Sequence, residues 1–436
     1  MYSIINLVFF EIIEKIFLKY NLRNFLNEYM TQYQCFNTNF IKYLDLYKKK
    51  LDLYYSKIDY EFLPIYLVIG SIGNYYTLES LILANRYKLR KKRKIILIIP
   101  EKFKPNNRSL FFCYSKYFKI IQNDLIFKII NKINFFSILP LGIGLTFKKY
   151  FLPIDEAANF IEQNRLKKKY QDLPVLNLTR NEYSRHLNTL KRNNISLKNK
   201  WIVTIHVREP GFRGENYKNT TENFRNSNPL NYVKAAKAII KAGGIVFRMG
   251  HKSNISMPKI SGLIDYANSD FKSEELDVFL ASISKFCIGN SSGFMRIARA
   301  FGVPVLLADG PVHIEYFSLK KKDLYLPRLF YFKKNKKLLK FKEMFKFPYN
   351  SCVHDKHYEF NKVSVKINTP EEILQATNEM IRKVFRLSKK TRNTENSRQT
   401  QFKKIVENAV LPTSQINQKA FCDISNSFLS KYSKLL

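Results

Sequence analysis

The chain has 436 residues, 45% of them hydrophobic and 25% charged, enough for roughly two to three domains with sizeable cores; a disordered or fibrous protein is excluded. Its 74 basic and 35 acidic residues leave a net charge of +39. That excess suits an anionic partner such as a membrane surface or a phosphorylated lipid, or else reflects a Lys-, Asn- and Ile-rich composition of the kind an AT-rich genome produces. The lysines fall in short scattered runs, including Arg90–Lys94, Lys320–Lys322 and Lys333–Lys337. None has the Gly-aromatic setting of an RNA-binding motif, so nucleic acid is the weaker expectation. Five cysteines without C-x-x-C spacing indicate neither a disulfide frame nor a zinc ribbon and fit a reducing cytoplasm. No apolar run reaches the roughly 18 residues that a spanning helix needs.

The first segment, 1–60, reads as helical. Met1–Tyr20 is apolar but interrupted by Glu11, Glu14 and Lys15, and it lacks the basic start and small-residue cleavage site of a signal peptide. A helix packed on the first domain is the favoured reading, and an amphipathic helix lying on a membrane is the alternative. Residues 61–198 read as a first Rossmann-like domain. Pro64–Ile69 is an apolar strand, Gly70–Gly73 a tight loop and Thr77–Tyr87 a helix; Lys94–Ile99 is a strand of near-continuous Ile and Leu. Continuous apolar runs suit strands covered on both faces. Two glycines leave the dinucleotide fingerprint incomplete. From Asp155 to Lys200 the pattern becomes helical and polar, and a boundary is expected near Asn199.

Residues 199–365 read as a second doubly wound domain, which carries the chemistry. The strand beginning at Trp201 ends in His206-Val-Arg-Glu209. A helix bearing Tyr232, Ala235, Ala236, Ile239 and Ile240 stops at Gly243-Gly244, and Ile245–Arg248 is the next strand. Glu274 and Glu275 open another helix, where negative charge suits the macrodipole. Phe286–Ile288 and Val303–Leu307 are further strands. Beyond Pro327 the chain turns Lys- and Phe-rich and less regular. The last segment, 366–436, is expected to hold C-terminal helices and a mobile polar tail. Thr369 caps a helix with Pro370 at its first position, Ser388–Thr413 reads as the mobile part, and Phe421–Leu435 regains a helical period.

In an open α/β sheet ligands bind outside the carboxyl ends of the strands. The glycine-flanked Gly289–Gly293 loop feeds a helix start, where unpaired N–H groups and the positive end of the dipole favour phosphate; Ser291, Ser292 and Gly293 are the candidates there. The plain alternative is a strand-to-helix turn with a serine N-cap. Alternation puts His206 and Arg208 on one side of their strand. Arg208 offers a planar fork suited to a diphosphate, and Arg248 with Gly250 repeats that design at the next strand end. Glu209 and His206 are the candidate catalytic groups, Glu209 as general base; a strand-end ion pair between Arg208 and Glu209 is the bland alternative. Asp265 and Tyr266 are candidates for reading the base or ribose of a donor. Cys352, His354 and His357 lie close in sequence but lack a fourth ligand, so no metal site is expected. No Asp-x-Asp pair, Walker loop or H-E-x-x-H is present.

An ordered set of motifs resembles a family of bacterial glycosyltransferases encoded in cell-surface polysaccharide loci. The set comprises His206–Glu209, Asn231-Tyr232, Gly243-Gly244 with Arg248–Gly250, Ile264–Ala267, Asp277–Leu280, Ser291–Gly293, Phe301–Pro304, Asn368–Ile373 and Ile424–Leu429. The likeness covers about 201–435; the first half matches poorly, with Gly70-Ser71 where a Gly-His pair is expected. The resemblance implies a GT-B architecture, two Rossmann-like doubly wound domains facing a cleft, with the acceptor on the first and the sugar nucleotide on the second. The His-x-Arg strand end is also similar to that of fucosyltransferases, in which the arginine holds the diphosphate of a GDP-sugar. What this implies is a metal-independent, cofactor-free transferase on the cytoplasmic side of the membrane. Its partners would be a nucleotide-sugar, a glycan or polyprenyl-linked acceptor and an anionic membrane surface. A non-catalytic protein that binds nucleotide-sugars or glycans is the alternative, followed by a basic nucleic-acid-binding protein.

Overall fold

The computed structural model describes residues 60–64, 75–86, 94–105, 107–127, 144–147, 150–153, 162, 173–209, 223–252, 255–310, 316, 318–346, 348–352, 354–386, 393–408 and 419–436. The expected helix at Met1–Tyr20 and the Gly70–Gly73 loop lie outside them. In the first half, β1 (Tyr60–Pro64), β2 (Lys94–Ile99) and β3 (Lys119–Gln122) form a parallel sheet in that order. Helices α1 (Tyr75–Arg86) and α2 (Arg108–Ser115) link them. Of the strand expected at Pro64–Ile69, only Pro64 falls within β1, and the rest lies outside the described residues. The Ile-rich β2 is the centre strand, with Leu97 and Ile98 fully buried. β4 (Gly144–Phe147) and β5 (Tyr150–Pro153) make a separate antiparallel pair.

The second half is built on a seven-stranded, wholly parallel sheet. In chain order its strands are β6 (Trp201–His206), β7 (Gly244–Met249), β8 (Leu263–Ile264), β9 (Phe286–Gly289), β10 (Val305–Gly310), β11 (Leu324–Pro327) and β14 (Asp423–Ile424). In space the order is β8-β7-β6-β9-β10-β11-β14. The chain winds outward from β6 in one direction, returns, and winds outward in the other, so the order reverses between β6 and β9. This is the doubly wound pattern, and the crevice at that reversal is where such sheets bind ligands. Helices α4 (Val233–Lys241) and α7 (Pro370–Val384) pack together on one face, while α5 (Glu274–Ile283) and α6 (Gly293–Ala300) pack on the other. Both faces being covered explains why the strands read as unbroken apolar runs.

Local chemistry sets the helix starts. The Ser273 hydroxyl accepts from the Leu276 N–H at 3.2 Å to cap α5, with Glu274, Glu275 and Asp277 in its first turn. Thr369 and Glu372 close a reciprocal capping box around Pro370. Helix α3 (Arg180–Arg192) begins on a similar Thr179–Glu182 box.

The C-terminal stretch differs from expectation in two ways. Residues Asn393–Glu407, expected to be mobile, form helix α8. Its composition is polar, but Phe402 and Val406 fall one turn apart and are fully buried, and Phe402 packs edge-on to Tyr316, Phe341 and Phe345. Asp423-Ile424 then adds the seventh strand beside β11. The final helix α9 (Asn426–Lys431) starts on the Glu379 carboxylate of α7, which accepts from the Asn426 and Ser427 N–H groups at 2.8 and 2.9 Å. The Lys- and Phe-rich stretch beyond Pro327 is also ordered. β12 (Leu329–Phe332) and β13 (Val363–Lys366) form an antiparallel ribbon.

The two halves touch through helices. α2 meets α5, where the Asn107 amide donates to the Glu274 carbonyl at 3.2 Å and the Arg108 N–H to the Glu274 carboxylate at 2.6 Å. α1 meets α6, and Arg299 of α6 lies 3.9 Å from the buried Glu162 carboxylate.

Candidate active site at the sheet's switch point

The register brings three strand ends level: His206 of β6 pairs with Met249 of β7 and with Gly289 of β9. Gly289 is required by this closeness, because a Cβ there would stand 2.2 Å from the His206 carbonyl oxygen and 2.8 Å from the Met295 sulfur. Gly250 takes a φ of +132°, a conformation favouring glycine, and a Cβ there would lie 3.9 Å from the His206 ring.

His206 is held on two sides. Its Nδ1 lies 3.0 Å from the Ser292 hydroxyl, and its ring stacks on Phe294 with centroids 5.0 Å apart. Burial, then the nearby charge of Arg248, press its pKa down to about 3. The imidazole is therefore neutral at physiological pH, able to give or take a hydrogen bond but carrying no positive charge. Ser292 is the N-cap of α6, yet its side chain makes no capping bond; it is turned to His206 instead. The first N–H groups of α6 thus keep the character of an open helix start.

Asn290, which the sequence reading did not single out, ties the crevice together. It is fully buried; its Oδ1 accepts from the Arg208 N–H at 2.8 Å, and its Nδ2 donates to the Arg225 carbonyl at 2.8 Å. Arg225 returns the contact, its Nη2 donating to the Ser291 carbonyl at 2.9 Å. The Ser227 N–H donates to the Arg208 carbonyl at 2.9 Å. Arg208 itself is half-buried just past the strand end. Behind this segment the buried Asp309 accepts from Ser227 at 2.7 Å and Tyr232 at 3.2 Å, while Arg328 donates to the Asn226 carbonyl at 2.7 Å. No sequence motif announces this network; its side-chain contacts join residues 65 to 102 positions apart along the chain.

The opposite wall is built differently. Arg248 is completely buried and forms ion pairs with Glu209 and, at 3.3 Å, with Asp265. Asp265 also accepts from the Met257 N–H at 3.0 Å and the Asn268 amide at 2.9 Å, which organises the turn after β8. Tyr266 is buried, and its hydroxyl both donates to the Ser273 carbonyl and accepts from the Ser273 N–H, each at 3.0 Å. Burial raises its phenol pKa above the usual range, so it stays protonated. The structure therefore gathers His206, Arg208, Ser291, Ser292 and Gly293 around the β6–β9 crevice. It joins Glu209, Arg248 and Asp265 in a separate ion-paired cluster and turns the Tyr266 hydroxyl to its own loop.

The three residues weighed for a metal form no ligand set: the His354 and His357 ring centroids are 5.2 Å apart in an edge contact, and the Cys352 thiol is directed to the Pro348 carbonyl. Among the described residues no group of three or more His, Cys, Asp or Glu side chains comes together. No helix among them is long and apolar enough to cross a membrane.

No family model matches the chain, and no curated protein does. Among solved structures it is similar to the glycosyl transferase family 9 protein from Veillonella parvula DSM 2008. That match has 10% identity over 74% of this chain and 96% of that one, with a TM-score of 0.42. It is also similar to TibC, described as a dodecameric iron-containing heptosyltransferase in complex with ADP-D-beta-D-heptose, at 13% identity over 75% and 77% of the two chains and a TM-score of 0.32. TibC from enterotoxigenic E. coli H10407 gives 12% identity, 75% and 76% coverage and a TM-score of 0.33. The likeness is remote in each case.

Proposed function

We propose that the chain is a glycosyltransferase of GT-B type that moves a sugar from a nucleotide-sugar to a growing cell-surface glycan or lipid-linked acceptor, without a metal, at the cytoplasmic face of the membrane. The observation that carries this reading is the convergence, at one switch point, of an open helix start at Gly293, the half-buried Arg208 and the neutral His206. A helix N-terminus and an arginine stabilise a diphosphate in the way a departing nucleotide requires. In the transfer the acceptor hydroxyl oxygen bonds to the anomeric carbon while the bond from that carbon to the diphosphate oxygen breaks. The hydroxyl proton passes to a base, and the released charge is met by Arg208 and the α6 N-terminus.

The geometry favours a division of labour. Ser291, Ser292, Gly293 and Arg208 hold the diphosphate, and His206 offers a neutral hydrogen bond to a phosphate oxygen or sugar hydroxyl. Arg248 and Asp265 shape the wall around Gly250, and Glu209, tied to Arg248, sets its charge. The first half, with its own parallel sheet, supplies the acceptor side.

A thermal-shift screen against GDP-, UDP-, CMP- and dTDP-sugars tests the reading. One nucleotide class should raise the melting midpoint, and Arg208→Ala should abolish the rise. No shift with any class would overturn the proposed donor site. Binding without release of free nucleotide, even with acceptor glycans supplied, would make the protein a non-catalytic binder.

A further inference from the structure

The β12–β13 ribbon ends in a cluster of lysines that the proposed chemistry does not use. Lys333, Lys334, Lys336 and Lys337 follow β12 and are all exposed. Lys362, also exposed, is brought beside them because the Lys333 N–H donates to its carbonyl at 2.9 Å. The tip is held by its own backbone, with Phe332 donating to Lys337 at 3.0 Å and Lys336 to Phe332 at 2.9 Å. Two residues before Lys362, Phe360 is 64% exposed.

The ribbon is rooted on the edge of the sheet that carries the candidate site. At its base the Arg328 N–H donates to the Gly310 carbonyl and the Asn368 amide to the Pro327 carbonyl, both at 2.9 Å, at the carboxyl ends of β10 and β11. The short helix Asp355–Phe360, which carries Phe360, is tied to the same edge. Its Asp355 accepts from the Asn223 and Phe224 N–H groups, both at 2.8 Å, next to the Arg225 that holds Ser291.

We propose that this lysine tip, with Phe360 as its apolar contact, is a docking surface for an anionic lipid bilayer. Four features favour lipid. The cluster is all lysine, a hydrated point charge on a flexible stem that suits a fluid array of headgroups; fixed phosphates would favour the arginine fork. An exposed phenylalanine beside basic residues is the composition that settles at the headgroup boundary. The nearby Tyr331 ring is covered by the Lys336 ammonium at 5.3 Å, which leaves it a poor platform for stacking bases. Docking by the tip would also bring the site's edge to the membrane, where a lipid-linked acceptor resides. The inference leans on the transferase reading only for that last point, since vesicle binding needs no nucleotide.

Sedimentation of the full chain with vesicles tests it, using phosphatidylcholine alone and phosphatidylcholine mixed with phosphatidylglycerol. The protein should bind the mixed vesicles, and the affinity should fall as salt rises. A basic residue near an anionic surface contributes about fivefold in affinity, so replacing Lys333, Lys334, Lys336 and Lys337 by Gln should weaken binding by about two orders of magnitude or more. The same number of exposed lysines replaced in the first half (Lys102, Lys104, Lys116 and Lys119, each to Gln) should weaken it less than tenfold. Phe360→Ser should reduce the binding that survives at high salt. Equal losses for the two lysine sets would mean that diffuse net charge is responsible, and the proposal would fail. It would fail equally if the tip variant lost affinity for a single-stranded RNA oligonucleotide but kept it for the vesicles. Nucleotide thermal shifts measured on the same variants report on the donor site separately.

Discussion

On the β7 wall of the crevice the positive charge is already taken up: the buried Arg248 faces two carboxylates, Glu209 and Asp265. On the β9 wall the contacts of Asn290 and Ser292 are to backbone and imidazole groups around the start of α6. An arginine that has spent its positive charge on two carboxylates adds little attraction for a phosphate, whereas open helix N–H groups and an uncancelled dipole add a good deal. Under the proposed function the anion would sit at the β9 wall and the β7 wall would have a structural duty, although the sequence has at both a strand end with an arginine.

The sharpest way to break this contrast is Arg248→Met. It would leave Glu209 and Asp265 without their buried partner, and removal of one member of a buried pair costs about 3–5 kcal/mol. We expect a loss near the lower end, because both carboxylates keep some solvent contact, read as a fall in the urea midpoint. A variant as stable as the wild type would show that the β7 cluster is not a stabilising unit. Next in size is Asn290→Ala on the β9 wall. The Arg208 N–H and Arg225 carbonyl would lose buried partners, at about 1–3 kcal/mol for unsatisfied groups. Nucleotide affinity should also fall at least about tenfold, through misplacement of Arg208 and the loop. Loss of stability with unchanged affinity would separate Asn290 from the site.

The smallest effect concerns pH. His206 titrates at about 3 in the folded protein, below the ordinary histidine value of roughly 6.5 in the unfolded chain. The unfolded state therefore takes up the proton first, and stability is fully present above pH 6.5 and declines as pH falls toward 3. Between pH 6.5 and 4.5, before most carboxylates titrate, His206→Gln should show a shallower decline in melting midpoint than the wild type. Parallel curves would mean that the ring is not held neutral by its surroundings.

Much of this was legible in the sequence, for identifiable reasons. The β6, β7 and β9 strands announce themselves because parallel strands buried on both faces read as unbroken apolar runs, and the polar tips His206–Arg208 and Asn290–Ser292 stand out against them. The helix starts at Ser273 and Thr369 carry their caps in adjacent residues. What was hidden depends on contacts across the chain. Arg208 and Arg248 have equivalent local patterns, and the folding of Glu209 and Asp265 around Arg248 is not visible in either of them. Asn290 is one polar residue in a glycine-flanked loop until Arg208 and Arg225 arrive beside it. In α8 the polar majority masks Phe402 and Val406, and β14 is two residues long, too short for any alternation to register.

The account is tested most directly by calorimetric titration of a nucleoside diphosphate into two variants, one on each wall. Ser292→Glu places a negative charge at the α6 start and should abolish binding. Tyr266→Phe removes a hydroxyl that the structure turns to Ser273, and it should leave the affinity within about twofold of wild type, well inside the margin of one lost hydrogen bond. Tyr266→Phe weakening binding tenfold, with Ser292→Glu binding normally, would place the anion on the β7 wall and contradict the account.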